Sequence, residues 1–320
     1  MFSEIMEKIA AYDTVIIHRH SSPDGDALGS QIGLKHILRD SFPAKKVYAV
    51  GDAAGKYAFM KDSVMDRVPD ETYSGALAVI LDTSSEGLIS DGRWRGAAST
   101  ARIDHHLFSG KIADAEAVDP TYESCCGMIA SLAMEYGLAV SSLAAESLFT
   151  GMVTDSGRFR YSGTGERTFR LAAFLMEKGF DTDALWRGLY AQSLEDARLR
   201  AAFVARISVT EHGAGYIYTD LEEMKRLHRS EFEISRGMVN VMADLKEIRV
   251  WVNFTETEKG VLCELRSGSV SINPIAVKYG GGGHPRASGA TVKNREEAMR
   301  MLADLDVLAA AAEEQEKGNG

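Results

Sequence analysis

The sequence predicts an α/β protein in which a mostly parallel-sheet N-terminal domain is joined by a helical linker to a smaller α/β C-terminal domain. Three observations predict it. Short, continuous apolar runs alternate with segments of helical spacing through the first 120 or so residues, the pattern turns helical over 124–206, and strand-like alternation returns beyond. At 320 residues, 45% of them hydrophobic, the chain is long enough for two domains with a core each.

In order, residues 2–9 read as an acidic amphipathic helix, 14–18 (Thr-Val-Ile-Ile-His) as a buried strand and 27–38 as a helix by the spacing of their apolar residues. Further short apolar runs at 46–50, 77–81 and 100–103 read as strands, and strands separated by helices favour a parallel sheet. Ligands gather beyond the carboxyl ends of such strands, where His20, Asp82 and Asp104 follow. The helical stretch includes 143–153, with Asp155 just past its end, and a connector at 195–206. Strands are expected at 215–218, 248–254 and 261–265, a helix at 295–313 and a polar, frayed tail at 314–320. The expected boundaries are 1–190, a linker at 191–206, 207–313 and the tail, and no internal repeat is visible.

The net charge of −10 argues against a protein that tracks long duplex DNA, which needs many Lys and Arg to neutralise phosphates. A short anionic substrate held by metals and a few cations is compatible with it. Three cysteines, two adjacent at Cys125 and Cys126, make no even disulfide framework and read as buried apolar residues in a reducing compartment. The N-terminus lacks the basic flank and apolar core of a signal peptide. No apolar run approaches the roughly 20 residues of a membrane helix, so a cytoplasmic protein without membrane partners is expected.

The chemistry is concentrated in His20-Ser21-Ser22-Pro23-Asp24-Gly25-Asp26, answered downstream by Asp82, by Asp104-His105-His106 and by Asp155. Carboxylates suit hard divalent cations, and added imidazole tilts the choice toward Mn²⁺ over Mg²⁺. Each piece alone has an ordinary reading. Pro, Asp and Gly are common at helix starts, and His pairs occur as hydrogen-bonded core residues. Their joint occurrence is what points to a metal site, and no Ser-His-Asp or Cys-His signature competes with it.

With these motifs the sequence resembles the DHH phosphoesterase family. The resemblance extends to Tyr279-Gly280-Gly281-Gly282-Gly283-His284-Pro285-Arg286-Ala287-Ser288-Gly289, which resembles the hallmark of the DHH-associated C-terminal domain. It implies that His20 and Asp24 hold one metal, that Asp26, His105 and Asp155 hold the other, and that Asp82 bridges them. Asp104 would orient His105, and His106 would stand near the scissile phosphate as a donor or acid. Arg158, Arg266, Ser267, the Gly281, Gly282 and Gly283 run, His284 and Arg286 would bind substrate, the glycines by letting backbone approach phosphate. His18 does not match the motif spacing and reads as a strand residue.

The resemblance further implies a two-metal hydrolysis at phosphorus, with two Mn²⁺ as cofactors and Mg²⁺ or another divalent cation as substitutes. The pairing of domains is most similar to bacterial oligoribonucleases that also dephosphorylate 3'-phosphoadenosine 5'-phosphate. Short RNA oligonucleotides or phosphorylated nucleotides are therefore the expected partners, with a homodimer also open. A phosphodiesterase for linear di-adenylate or cyclic dinucleotides is the alternative within the family. From another class, a non-catalytic nucleotide-binding module would be expected to lack a ligand, and every position is filled.

Overall fold

Runs of Val, Ile and Leu with no polar alternation suit strands covered on both faces, the usual condition of a parallel sheet. In the computed structural model, which describes residues 1–318, they form one. After α1 (Ser3–Ala11), β1 (Thr14–His18) leads through α2 (Gly25–Ser41) to β2 (Lys46–Ala49), β3 (Leu77–Leu81) and β4 (Ser99–Asp104). A fifth strand, β5 (Ala115–Val118), completes an all-parallel sheet of order β2-β1-β3-β4-β5. The sequence reading missed β5 because Ala-Glu-Ala-Val is short and only weakly apolar. Its Glu116 carboxylate instead accepts the backbone N–H groups of Ile112 and Ala113, at 2.7 and 3.0 Å.

The order of the strands reverses direction at β1, so the crevice between the ends of β1 and β3 is where an open α/β sheet binds ligands. His20 lies two residues beyond β1 and Asp82 one residue beyond β3. The helical stretch becomes α3 (Cys125–Glu135), α4 (Ser142–Asp155), α5 (Glu166–Met176) and α6 (Thr182–Tyr190). Asp155 is the last residue of α4 and not beyond it, as the sequence reading had it.

Helices α2 and α4 meet almost backbone to backbone. Gly25, Gly29 and Gly33 share one face of α2 by their spacing of four. A Cβ on Gly29 would stand 2.5 Å from the Ser147 carbonyl oxygen, and one on Gly151 of α4 would stand 2.2 Å from Cys126 Sγ and 3.0 Å from Asp26 Cα. No side chain larger than hydrogen fits there. The three cysteines are buried free thiols, and Cys126 fills part of this contact.

The chain divides into two compact units, Met1–Ala191 and a second beginning at Gln192. The second opens with α7 (Leu194–Val204) and holds a mixed sheet of order β10-β11-β9-β8-β7-β6. Its strands are β6 (Ser208–Val209), β7 (Ala214–Thr219), β8 (Val250–Thr257), β9 (Gly260–Ser267), β10 (Gly282–His284) and β11 (Ala287–Val292). Only the β7–β8 pair is parallel. Its helices are α8 (Leu221–Leu227), α9 (Glu231–Val239), α10 (Asn273–Lys278) and α11 (Arg295–Gly318). Val250, Val252, Phe254, Leu265, Met301 and Leu305 form the centre of its own core.

One expectation changes here, that of the tail. In the glycine run, Gly282-Gly283-His284 pairs antiparallel with Ala287-Ser288-Gly289. Gly281 and Gly283 are needed for packing, since a Cβ would stand 2.1 Å from the Gly289 carbonyl oxygen and 2.7 Å from that of Ala287. The polar tail is helical in backbone as far as Gly318, the helix running on because Ala-, Glu- and Lys-rich sequence favours it. The last two residues of that expected tail lie outside the described residues.

Gly151→Ala is expected to cost about 1–3 kcal/mol through overpacking at the α2–α4 contact. Urea unfolding should show a lower midpoint at unchanged slope, and an unchanged midpoint would mean that the two helices have slack.

Candidate metal centre

The Pro-Asp-Gly-Asp turn starts α2, as its composition alone suggests. Asp24 is the N-cap, its Oδ1 accepting the N–H groups of Asp26 at 3.0 Å and Ala27 at 2.9 Å. Asp26 lies inside the helix and is buried. Its two oxygens accept the N–H groups of Cys125 and Cys126 at 2.7 and 2.8 Å, the first residues of α3. Unpaired N–H groups at a helix start, together with the helix dipole, hold a buried carboxylate in place.

Asp82 sits at the centre of the cluster. It adopts φ +50°, an uncommon conformation for a residue other than glycine and one that concentrates at functional sites. Its Oδ2 lies 3.5 Å from His20 Nε2, while its Oδ1 lies 3.5 Å from His105 Nε2 and 3.6 Å from His106 Nδ1. The carboxylate therefore faces two sides. His105 Nε2 also stands 3.4 Å from Asp155 Oδ2 and 3.7 Å from Asp26 Oδ2, and His20 Nε2 stands 3.8 Å from Asp24 Oδ1.

All six residues expected to hold metal are thus brought together, in sets with ligand atoms within 4.8 Å of one another: His20, Asp24 and Asp82; Asp26, His105 and Asp155; and Asp82, His105 and His106. His20 Nδ1 donates to the Ser21 carbonyl at 2.9 Å, and His105 Nδ1 faces that of Tyr122 at 3.4 Å. Each ring therefore turns Nε2 toward the carboxylates, the arrangement that metal-binding histidines need. Asp82 Oδ1 is buried and receives no hydrogen bond. An orphaned buried carboxylate oxygen is costly unless a cation completes it, so the donor set fits a hard divalent ion.

Asp104 departs from its expected role of orienting His105. Its Oδ1 accepts from His106 Nδ1 at 2.7 Å and from the His106 N–H at 3.2 Å, while Oδ2 accepts from the buried Arg102 guanidinium. Chain direction at the end of β4 turns the second histidine, not the first, back onto it. Arg102 also lies 3.5 Å from Glu116 and was not singled out from sequence. A lone arginine in a strand carries no signal there.

Proton affinities in the metal-free protein reflect crowded carboxylates. Burial raises Asp26 well above the ordinary range, and Asp82 and Asp155 raise it further. Burial and Asp82 push Asp155 up to about 7 against the pull of His105. Burial works to raise Asp82, but His105 and His20 hold it below the usual carboxylate range. Burial also pulls both imidazoles down, yet Asp24 and Asp82 bring His20 to about 11, and Asp82, Asp26 and Asp155 bring His105 to about 10. His18 stands apart: burial lowers it to about 4, and neither ring nitrogen has a hydrogen-bond partner.

The remaining expected residues divide between the units. Arg158, at φ +64°, lies three residues beyond Asp155 with its guanidinium 5.2 Å from the Tyr190 ring centroid. In the second unit Arg266 donates to Glu264 at 3.3 Å and to the Leu265 carbonyl at 2.8 Å, and the Ser267 hydroxyl is turned to the Val270 carbonyl. His284 and Arg286 are exposed at the β10–β11 hairpin, where Arg286 donates to the Gly268 carbonyl at 3.1 Å. Gly282 has open space on its side-chain side.

A parallel sheet whose switch point carries clustered aspartates and histidines defines a phosphoesterase of the DHH family, and the chain belongs to that family. The DHH family, N-terminal domain, matches residues 14–152, and the DHHA1 domain matches residues 215–311. The chain is 36% identical to the bifunctional oligoribonuclease and PAP phosphatase NrnA of Bacillus subtilis (strain 168), over 96% of this chain and 98% of that protein. It is also 36% identical to the probable bifunctional oligoribonuclease and PAP phosphatase NrnA of Streptococcus mutans, over 90% of this chain and 93% of that one. Among solved structures, an exopolyphosphatase-related protein from Bacteroides fragilis is similar with a TM-score of 0.85 and 26% identity, over 96% of this chain and 97% of that one.

Metal binding should release protons, because ligand imidazoles must be neutral and Asp155 ionised. Calorimetry at pH 7 in buffers of different ionisation enthalpy should read release of about one proton or more per chain, with affinity rising as pH rises. Without metal the sign reverses. Because the folded His20 and His105 values lie above the ordinary 6.5, at about 11 and about 10, their stabilisation is full below 6.5 and lost as pH rises through those values. Thermal melts of metal-stripped protein from pH 7 to 10 should therefore show a falling midpoint, and a rising one would contradict the ion-pair assignment.

Proposed function

We propose that the chain is a Mn²⁺-dependent phosphoesterase that hydrolyses short oligoribonucleotides to mononucleotides and 3'-phosphoadenosine 5'-phosphate to AMP. The observation that carries this reading is the two-faced, unsatisfied Asp82 carboxylate between His20 on one side and His105 on the other. On this reading His20 and Asp24 would hold one ion, Asp26, His105 and Asp155 would hold the second, and Asp82, with an oxygen toward each set, would serve both. Two such ions, when bound, activate water and stabilise the attacking and leaving oxygens of an in-line displacement.

The chain's own groups do the rest. Asp104, held by Arg102, anchors His106 through Nδ1 and leaves Nε2 free to donate to a phosphate oxygen or to the leaving group. Asp104 and the burial around it keep that ring in one orientation, so no substrate-binding energy is needed to order it. Asp26 cannot swing away, because both its oxygens are already tied to the start of α3. Arg158 in the first unit and Arg266, Ser267, Gly281, Gly282, Gly283, His284 and Arg286 in the second are the proposed contacts to the substrate's phosphates and sugar.

The preference for short RNA and 3'-phosphoadenosine 5'-phosphate rests on the activities named for the Bacillus subtilis relative. The net charge of −10 also disfavours long strands, whose binding depends on a broad basic surface. Three buried free thiols fit a cytoplasmic enzyme, and among the described residues no helix is long and apolar enough to cross a membrane.

The test is a panel of RNA dinucleotides to pentanucleotides, longer RNA and DNA, 3'-phosphoadenosine 5'-phosphate, cyclic dinucleotides and polyphosphate, each with Mn²⁺ and with Mg²⁺. Turnover should fall with strand length and be higher with Mn²⁺, whereas equal rates on long strands would sink the short-substrate reading. Asp82→Ala should lower kcat by roughly a thousandfold or more, and His106→Gln by about 10²–10⁴-fold while metal content is retained.

A further inference from the structure

We propose that Asp52, acting through the buried Arg19, is a positioning residue that sets the affinity of the His20–Asp24 metal position. Three residues, Ser21-Ser22-Pro23, separate those two ligands. Ser21 and Ser22 are exposed, and Ser22 adopts φ +53°, which costs a residue other than glycine some backbone energy. A short exposed segment in that state keeps one shape only if something ties it down.

The ties converge on Arg19. Its side chain is fully buried and donates to Gln31 Oε1 at 2.9 Å, to the His20 carbonyl at 3.0 Å, to Asp52 Oδ1 at 2.7 Å and to the Asp52 carbonyl at 2.6 Å. Gln31 is itself fixed, its amide donating to the carbonyls of Ile17 and Val50 at the ends of β1 and β2. Asp52 completes the ring: Oδ2 accepts the Ser22 N–H at 2.7 Å, Oδ1 accepts the Ser90 hydroxyl at 2.8 Å, and its own N–H donates to Ser90 Oγ at 2.8 Å. Backbone bonds from Ser21 to the Leu88 carbonyl, 2.8 Å, and from Ser90 to the Arg19 carbonyl, 3.0 Å, bind the same segments.

Gly51 makes the approach possible. At φ +139° it turns Asp52 toward Arg19, and a Cβ there would stand 3.2 Å from Ser90 Oγ and 3.3 Å from Arg19 Cζ. Asp52 differs from a surface ion-pair partner, because removing its carboxylate leaves a buried guanidinium without the charged group it is hydrogen-bonded to. The structure that fixes the Ser22 bend would then loosen, and His20 and Asp24 would lose their mutual geometry. The Asp26, His105 and Asp155 set is held separately, by the start of α3 and the end of α4. The effect should fall on one ion and spare the other.

This rests on the two-ion reading above. The test is Mn²⁺ titration of the metal-stripped full chain, followed by electron paramagnetic resonance of free Mn²⁺, with circular dichroism to establish folding. Wild type should take up two ions. Asp52→Ala should weaken one by about 10–100-fold and leave the other within about twofold, the range seen when groups that orient metal ligands are removed. Asp52→Asn, which keeps an acceptor but loses the charge, should fall between, and Ser90→Ala should weaken the same ion less. If Asp52→Ala does not fold, these two milder variants carry the test. Two ions in wild type with both affinities unchanged, or both lowered equally, in folded variants would overturn the proposal alone. Fewer than two ions in wild type would overturn the two-ion reading and the proposal with it.

Discussion

The contact between α2 and α4 is the constraint on which the first unit's site depends. Asp24 and Asp26 open one of these helices and Asp155 ends the other. They share a cluster only because Gly29 and Gly151 let the backbones touch, with Cys126 occupying the remaining space. A methyl group at either glycine would displace carboxylates whose useful tolerance is a fraction of an ångström. The same contact buries Asp26, and burial makes the N–H groups of α3 its natural partners.

Around this contact, buried charge is used as scaffolding. Arg102 holds Asp104, which holds His106, and Arg19 holds Asp52, which holds the bend at Ser22. Lys35, also buried, lies 2.9 Å from Asp62 and 3.1 Å from Asp66 and pins the segment after β2 onto α2. Each cation would be costly alone and is tolerated because carboxylates meet it. The metal cluster is the opposite case. Its carboxylates outnumber nearby cations, so its imidazoles gain protons and Asp82 keeps an oxygen without a donor. Each scaffold cation is met by a carboxylate, whereas at the site the carboxylates are left in excess for a ligand to complete.

Much of this was legible in the residues. The apolar runs at 14–18, 77–81 and 100–103 lie within β1, β3 and β4, because strands buried on both faces must be continuously apolar. His20, Asp24, Asp26, Asp82, His105 and Asp155 could be picked out because their motifs, each ordinary alone, occur together in one chain, and the structure gathers them into one cluster. Elements such as β5 and β10 were not legible as strands. Ala-Glu-Ala-Val and Gly-Gly-His have no apolar alternation, and their pairing is imposed by neighbours.

The sequence by itself determined which chemistry is available, since residue type sets what an oxygen or imidazole ligand prefers, and it determined the α/β class through local periodicity. The tertiary structure alone decided who holds whom: that Asp104 serves His106, that Asp82 presents an oxygen to each side, and that Arg19 and Asp52 brace a loop from 33 positions apart. The physical reason is range. Periodicity and motif spacing record interactions along the chain, whereas hydrogen bonds and desolvation act between atoms that folding brings together, and no local pattern encodes them.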